Sequence, residues 1–469
     1  MSALVQLAPE AGMAALALLF LIESLEFAKL GALRAWASAA VAALAVLALG
    51  QRGALFGGCY SLDALSQFFK AAVAVGFCVV VAIGSRPREV EEAKQPDYFM
   101  LLAISSLGLM LLASATELVT MYLALELASL SLYAVAPLRS ESRPAAEAAV
   151  KYILYGAMVT ALSLYGLSLI MAAQHTTYVA ELAQKPWSVA AAPLAVIGLA
   201  LYLTGFLFKL ALFPFHFWCP DVYQGVGNET AAFVSTLPKL GALAVLVRLV
   251  GAIGLDAQTA DALAALAALS MTAGNFSALV QKDLKRLLGF SSVSHAGYAA
   301  MGLVAGGPDG LTSAAFYGVC YLLMNLAAFY VVCRVRQDGQ NPTLSDLDGL
   351  YRTSPGMAFV LLAAAFSLVG LPPTAGFTGK FFLLSSLWGH GHDWLVIVAV
   401  LNTAIAIYYY LNMVRHAYTA EPAAEGASPT PGGLAPLLGA SLAVCLLGVG
   451  LYPAPLLGLA QAAAKVVLP

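Results

Sequence analysis

The sequence predicts an all-α, polytopic membrane protein of about fourteen spans. Three observations carry that prediction. Hydrophobic residues make up 61% of the 469 residues and charged residues 10%, whereas a soluble protein needs far more charge to cover itself. Uninterrupted apolar runs of about 20 residues, the length of a bilayer-crossing helix, recur from end to end. Most of the 23 Lys and Arg residues stand at the ends of those runs.

By apolar length the spans fall near 13–31, 34–51, 62–84, 98–115, 117–136, 148–172, 190–213, 229–250, 259–280, 288–305, 311–333, 355–387, 393–416 and 433–452. The first run holds Glu23 and lacks a basic leading segment, so it reads as a span and not as a signal peptide. The seventh runs into "FKLALFPFHFW", where Pro214 breaks it. The twelfth is too long for one plain helix and contains "LVGLPPTAGFTGKFF", so it also reads as broken, at Pro372 and Pro373. The segment 419–431, "TAEPAAEGASPTP", reads as a flexible linker before the last span.

Basic residues then set the orientation. Connections after odd-numbered spans hold Arg86, Arg88, Lys94, Arg139, Arg143, Lys282, Lys285, Arg286, Arg334, Arg336 and Arg352. Those after even-numbered spans hold little beyond Arg52 and Lys185. Odd connections are therefore expected on the cytoplasmic side, and both termini on the periplasmic side.

Composition also limits the chemistry. Cys59, Cys78, Cys219, Cys320, Cys333 and Cys445 form no CxxC pair, so no iron–sulfur or zinc site is signalled. There is no Rossmann fingerprint and no phosphate loop. No His, Cys and carboxylate cluster has metal-ligand spacing. The net charge of −2 and the lack of a dense basic tract give no sign of nucleic-acid binding. Energy for any work is expected from a partner or an ion gradient.

The informative residues are charges inside the spans: Glu126, Lys151, Lys209, Lys239, Lys380 and, less deeply placed, Lys70. Each costs about 2.5–3.5 kcal/mol near the bilayer centre on insertion scales. Lys70 and Lys151 lie within two turns of a span end, where a long side chain can snorkel to the interface. Lys209, Lys239 and Lys380 lie further in, and Glu126 has a short stem. Burial disfavours the charged form of a lysine or glutamate, and a nearby opposite charge restores it. Moving Lys209 toward or away from Glu126 would therefore change the proton affinity of both, which is the physics of a switchable proton relay.

Breaks beside interior charges recur. Lys209 with Pro214, and Lys380 with Pro372 and Pro373, are the pattern of transporter repeats with discontinuous helices. The offset 380 − 209 = 171 carries Glu126 to 297, near His295 in "SSVSHAGY". It carries Lys151 to 322, beside Tyr321, and Lys239 to Tyr410. Spans 4–8 would then match spans 9–13. Five is odd, so the second copy must be inverted. His295 can pass a proton, since an unperturbed imidazole titrates near about 6.5; a satisfied structural histidine is the plainer alternative. His216, near a helix end, reads as structural. The expected units are 1–96, 97–254, 255–418 and 419–469.

Over about residues 97–416 the chain resembles the antiporter-like membrane subunits of respiratory complex I, the proton-pumping NADH:quinone oxidoreductase. The matching stretches are "YLALELASLSLYAV", "EAAVKYILYGA", "FKLALFPFHFWCPDVYQG", "QKDLKRLLGFSSVSHAGY" and "GLPPTAGFTGKF". "PDVYQG" and "LELASLSLY" favour the N-type branch, nearest the quinone-reducing module, over its paralogues and over Mrp-type sodium/proton antiporter subunits. The resemblance implies fourteen helices with two inverted five-helix repeats. It implies that Glu126 is the acid of the fifth helix and Lys209 its partner on the broken seventh. Lys239 would be the central relay, His295 a relay on the tenth helix and Lys380 the distal lysine on the broken twelfth. Lys151 would modulate the first pair. No cofactor is implied in this chain; quinone, FMN and iron–sulfur clusters are implied in partner subunits. Those partners would be the other membrane-arm subunits, including the neighbouring antiporter-like subunit and the small helical subunits beside the quinone module. The location implied is the bacterial cytoplasmic membrane. A subunit of a sodium/proton antiporter, or of an energy-converting membrane hydrogenase, is the alternative. One departure is "VGNET" where the family has a proline-rich segment; it places Glu229 at a helix start, where the dipole favours a carboxylate.

Overall fold

The computed structural model describes residues 6–27, 29–31, 33–84, 87, 89–139, 142–335, 340–419, 421 and 435–468. Arg86, Arg88, Arg336 and most of the expected linker lie outside the described residues. The chain begins with α1 (Ala8–Ser24) and α2 (Leu33–Leu47). A small antiparallel hairpin follows, β1 (Gly53–Leu55) with β2 (Tyr60–Leu62), in a register that sets Gly53 opposite Leu62. Then come α3 (Ala64–Ile83), α4 (Gln95–Ser114), α5 (Leu118–Val135), α6 (Arg143–Gln174), α7 (Pro193–Leu210), α8 (Trp218–Gly225) and α9 (Asn228–Ile253). The rest is α10 (Ala257–Ala278), α11 (Leu284–Ala305), α12 (Gly307–Val335), α13 (Pro355–Val369), α14 (Ala375–Leu387), α15 (Asp393–Thr419), α16 (Ala435–Leu451) and α17 (Ala454–Lys465).

Among the described residues, 10 helices are long and apolar enough to cross a membrane, or 11 if the bent pair α16 and α17 is one span. This is a multi-pass membrane protein. Three differences from the expected spans stand out. α1 starts at Ala8 and ends at Ser24, several residues before the expected run. The seventh run stops at Leu210, and α8 follows it as a separate short helix. α17 was not foreseen; it leaves α16 at 74°, after the "YPAP" stretch that cannot continue a helix.

The core forms around α9, α11 and α12. Helices that are apolar all round are buried all round, and the most apolar window of α9 and of α11 is 94% buried. α2, α6 and α15 are the least covered, with 33%, 39% and 39% of theirs buried. Small residues let the helices approach. At Gly376, for example, a Cβ would stand 1.7 Å from the Ser367 carbonyl oxygen.

One buried ion pair ties the amino-terminal helices to the core. Asp63 caps α3, accepting the Ser66 backbone N–H at 2.7 Å, while its own N–H donates to Ser66 Oγ at 2.9 Å. The Asp63 carboxylate also accepts both Arg248 guanidinium arms, at 2.7 and 3.2 Å, and Arg248 donates further to the Ala113 carbonyl at 3.0 Å. Removing one partner of a buried pair leaves the other uncompensated, at a cost of about 3–5 kcal/mol. Arg248→Met is expected to lower the thermal midpoint of the purified protein in detergent. An unchanged midpoint would mean that the pair adds nothing to stability.

Candidate functional site

Each break in a long helix frees backbone carbonyls that need donors inside a membrane. α7 ends because Ala211 turns left-handed (φ 61°, ψ 40°). Pro214 then fills the gap, and the chain becomes helical again at Trp218. The Trp218 indole N–H donates to the Phe208 carbonyl at 2.8 Å. The Lys239 ammonium, from α9, donates to the Leu210 carbonyl at 2.5 Å. The second break follows the same plan. α13 ends at Val369, Gly370 is left-handed at φ 90°, and Pro372 and Pro373 separate it from α14. The Lys380 ammonium donates to the carbonyls of Leu368 at 3.2 Å and Val369 at 2.9 Å. Both breaks contain a cis peptide, Phe213–Pro214 and Pro372–Pro373. So each break is closed by a lysine that caps a helix end, which favours a cation there.

Lys209 occupies the last turn of α7 and is 3% exposed. Its ammonium stands 5.0, 4.9 and 5.5 Å from the ring centroids of Tyr133, Tyr152 and Phe208, and it donates to the Tyr152 hydroxyl at 3.2 Å. Ring faces stabilise a desolvated cation. Glu126, on α5, is half-buried, and its Oε1 has no hydrogen-bond partner among the described residues. The two charges act on each other, but they form no ion pair within 4.0 Å among the described residues. The expected partners are neighbours across a gap.

From Lys239 the polar groups continue inward. Lys239, Leu210, His295, Tyr317 and Tyr321 border one cavity with room for about one water molecule. His295 Nδ1 is 2.6 Å from the Tyr317 hydroxyl, and its Nε2 is 3.1 Å from the Tyr410 hydroxyl. Tyr321 reaches Ser292 at 2.6 Å, and Ser292 reaches Tyr223 at 3.0 Å. The Tyr298 ring stands 6.0 Å from the His295 ring, and the Lys380 ammonium lies 4.2 Å from the Tyr298 ring centroid. Five of the sequence-predicted residues thus lie in one order: Glu126, Lys209, Lys239, His295, Lys380. Hydroxyls both donate and accept, so the tyrosines and serines between them can hand a proton either way.

Lys151 does not join this line. Its side chain is 37% exposed and paired with Glu147 at 2.7 Å and Asp221 at 2.8 Å. Asp221 also accepts from Arg286 at 2.6 Å. Lys151 stands on α6 and Arg286 on α11, so Asp221 of α8 ties those two helices together. Lys70 does not snorkel; it is wholly buried and paired with Glu10. His216 packs between Phe213 and Phe217, as a structural histidine would. Glu229 lies in the first turn of α9, the helix-start position expected for it. The offset of 171 fails as a match of equivalent positions: Lys209 precedes its break and Lys380 follows its own.

Sequence reading missed Asp221, Tyr298, Tyr317 and the pair Asp63–Arg248. A signal existed for the tyrosines. Tyr317 and Tyr321, and Ser291, His295 and Tyr298, fall three or four residues apart, so each set shares one face of its helix.

A family model described as "NADH:quinone oxidoreductase/Mrp antiporter, TM" matches residues 115–406. The chain is 60% identical over 417 residues to "NADH-quinone oxidoreductase subunit N 2" of Solidesulfovibrio magneticus, covering 89% of each chain. It is 44% identical over 404 residues to the protein of that name from Opitutus terrae, covering 84% of each. Among solved structures, a chain of respiratory complex I from Thermus thermophilus with bound aureothin matches with a TM-score of 0.83 and 33% identity, over 97% of this chain and 99% of that one. A chain of the Mrp complex from Dietzia sp. DQ12-45-1b has a TM-score of 0.88 at 21% identity, over 100% of this chain and 98% of that one, a likeness of fold alone. The match spans more than half of the sequence, and the chain belongs to the NADH:quinone oxidoreductase/Mrp antiporter transmembrane family.

Proposed function

We propose that this chain is the N-type proton-translocating subunit of an NADH–quinone oxidoreductase. The observation that carries the reading is the order of half-buried Glu126 and buried Lys209, Lys239, His295 and Lys380, in a chain 60% identical to a protein named as that subunit. Quinone reduction in partner subunits shifts charge along the membrane and closes or opens the Glu126–Lys209 gap. The changed proton affinity of Lys209 drives a proton past Lys239, across the small cavity to His295, and on to Lys380. Moving one charge against about 100 mV costs roughly 2.3 kcal/mol. A two-unit swing in proton affinity corresponds to about 2.7 kcal/mol, so the switch has the required size. Electron carriers (FMN, iron–sulfur clusters and quinone) belong to the partners, which are the neighbouring membrane-arm subunits. The membrane is the bacterial cytoplasmic membrane, with both termini periplasmic.

The fourteen-span, two-repeat architecture belongs to the same proposal, with units 1–96, 97–254, 255–418 and 419–469. Counting each broken pair as one span, the starts in the second set follow the first by 162, 166, 164, 162 and 165 residues (257 − 95, 284 − 118, 307 − 143, 355 − 193, 393 − 228). Local bonds recur at the same spacing. Leu118 N–H donates to the Thr177 carbonyl, and Leu284 N–H to that of Pro342, both at 2.9 Å. Ser105 donates to the Ala128 carbonyl at 3.0 Å, and Ser270 to that of Val293 at 2.8 Å. Gly108 faces the backbone of Ala124 and Ala128; Gly274 faces that of Phe290 and Ser294. This register of about 166 sets Glu126 opposite Ser292 and Ser129 opposite His295, so the chemistry is not copied from one set to the other.

The test is made on the intact complex in vesicles, comparing wild type with Lys209→Ala for quinone reduction and proton uptake in one sample. Both are expected to fall together. Unchanged uptake would make Lys209 a structural residue and remove the basis of the relay.

A further inference from the structure

The amino-terminal helices hold a second group of interior charges that the Lys209–Lys380 line does not use. Lys70, in the second turn of α3, is ion-paired with Glu10 in the first turn of α1. The Tyr60 hydroxyl donates to the same carboxylate, and the Lys70 ammonium stands 4.9 Å from the Tyr60 ring centroid. Burial first, and then the Glu10 charge, push the Tyr60 phenol far above its ordinary range, so it remains a donor. Asp63 and Arg248 pair close by and act on Lys70.

Gln67 lies three residues before Lys70 and four after Asp63, on their face of α3. It is 0% exposed, and neither its amide nitrogen nor its oxygen has a hydrogen-bond partner among the described residues. The second oxygen of Glu10, Oε2, has none either. Buried polar atoms in native folds are bonded to protein or to ordered water almost without exception. An amide free at both ends, one turn from an ion pair that also has a free oxygen, marks a place for bound water.

We propose that Glu10, Tyr60, Gln67 and Lys70 hold ordered water and form a second proton-exchange site, beneath the β1–β2 hairpin at the end of the bundle where α1 and α3 begin. The proposal rests on the proton-translocating reading above. The Lys70 ammonium passes a proton directly to the paired Glu10 carboxylate, leaving an amine and a carboxylic acid. The acid releases its proton to water on the hairpin side, and the amine takes up another from a hydronium ion that arrives through the bound water. One proton enters and one leaves, and only N–H and O–H bonds change. Asp63 and Arg248 face the site as a fixed pair of opposite charges and add no net charge to it.

Two measurements on the intact complex test this. A structure that resolves water should show at least one molecule bonded to Gln67 and to Lys70 or Glu10; a dry site overturns the proposal. In vesicles, Gln67→Leu keeps every charge and removes only the water-binding amide, and the double variant E10Q/K70M removes both charges together. Proton uptake per quinone reduced is expected to fall in each while quinone reduction persists. If the double variant does not assemble, Gln67→Leu alone decides. If these variants pump like wild type while Lys209→Ala does not, the group is a structural ion pair and the proposal fails with the assigned function intact. If Lys209→Ala also pumps normally, the function itself is wrong and the site falls with it.

Discussion

Lys239→Met in the intact complex is expected to lower proton translocation by roughly a hundredfold, the scale of losing one acid–base group. Lys239 is the only protonatable side chain that joins the first break to the His295 cavity among the described residues lining it. Methionine fills the space of the stem but carries no proton. It also leaves the Leu210 carbonyl, now capped at 2.5 Å, without its donor, a loss of about 1–3 kcal/mol for a buried acceptor. The structural and proton-carrying roles separate with Lys239→Arg, because a guanidinium donates hydrogen bonds but does not give up its proton in a protein. Arginine should keep the thermal midpoint near that of wild type and still abolish uptake. Normal uptake with arginine would reduce Lys239 to a cap for the broken helix.

Lys380→Met is expected to have the next largest effect, stopping release of the proton that reaches His295. Lys380 is 5% exposed and is the terminal charge of the line. It is held by two carbonyls of α13 and by the Tyr298 face. Losing it leaves both carbonyls without a charged donor, so a lower thermal midpoint should accompany the loss of uptake. Uptake measured in vesicles at the wild-type rate would remove the exit role and leave Lys380 as the cap of the second break.

Much of this was legible in the sequence, and the physical reason is specific to membranes. A charge within an apolar run is costly, so Glu126, Lys209, Lys239 and Lys380 declare themselves without any structure. Proline in such a run frees carbonyls, so Pro214, Pro372 and Pro373 mark the breaks. Lys151 and Lys70 were harder. Both lie near span ends, and apolar length alone does not say whether the neighbouring helix offers a carboxylate. It does in each case, Asp221 for Lys151 and Glu10 for Lys70, but one pair is half-exposed and the other wholly buried. The tyrosines escaped notice because a phenol is apolar enough to pass as core until its hydroxyl finds a partner.

By itself, the sequence determined the membrane class, the approximate spans and the interior charges, because each follows from local composition or local spacing, and its motifs carried the family resemblance. Only the tertiary structure decided how those charges are used. It brought Lys239 to the carbonyl freed beside Lys209, and it turned Lys380 back onto the helix that ends before its own break. It left Glu126 and Lys209 apart, and it set His295 between two tyrosine hydroxyls. The reason is that a helix fixes which residues share a face, whereas the partner of a buried charge comes from another helix, far away in the chain, whose approach depends on the packing of the whole bundle.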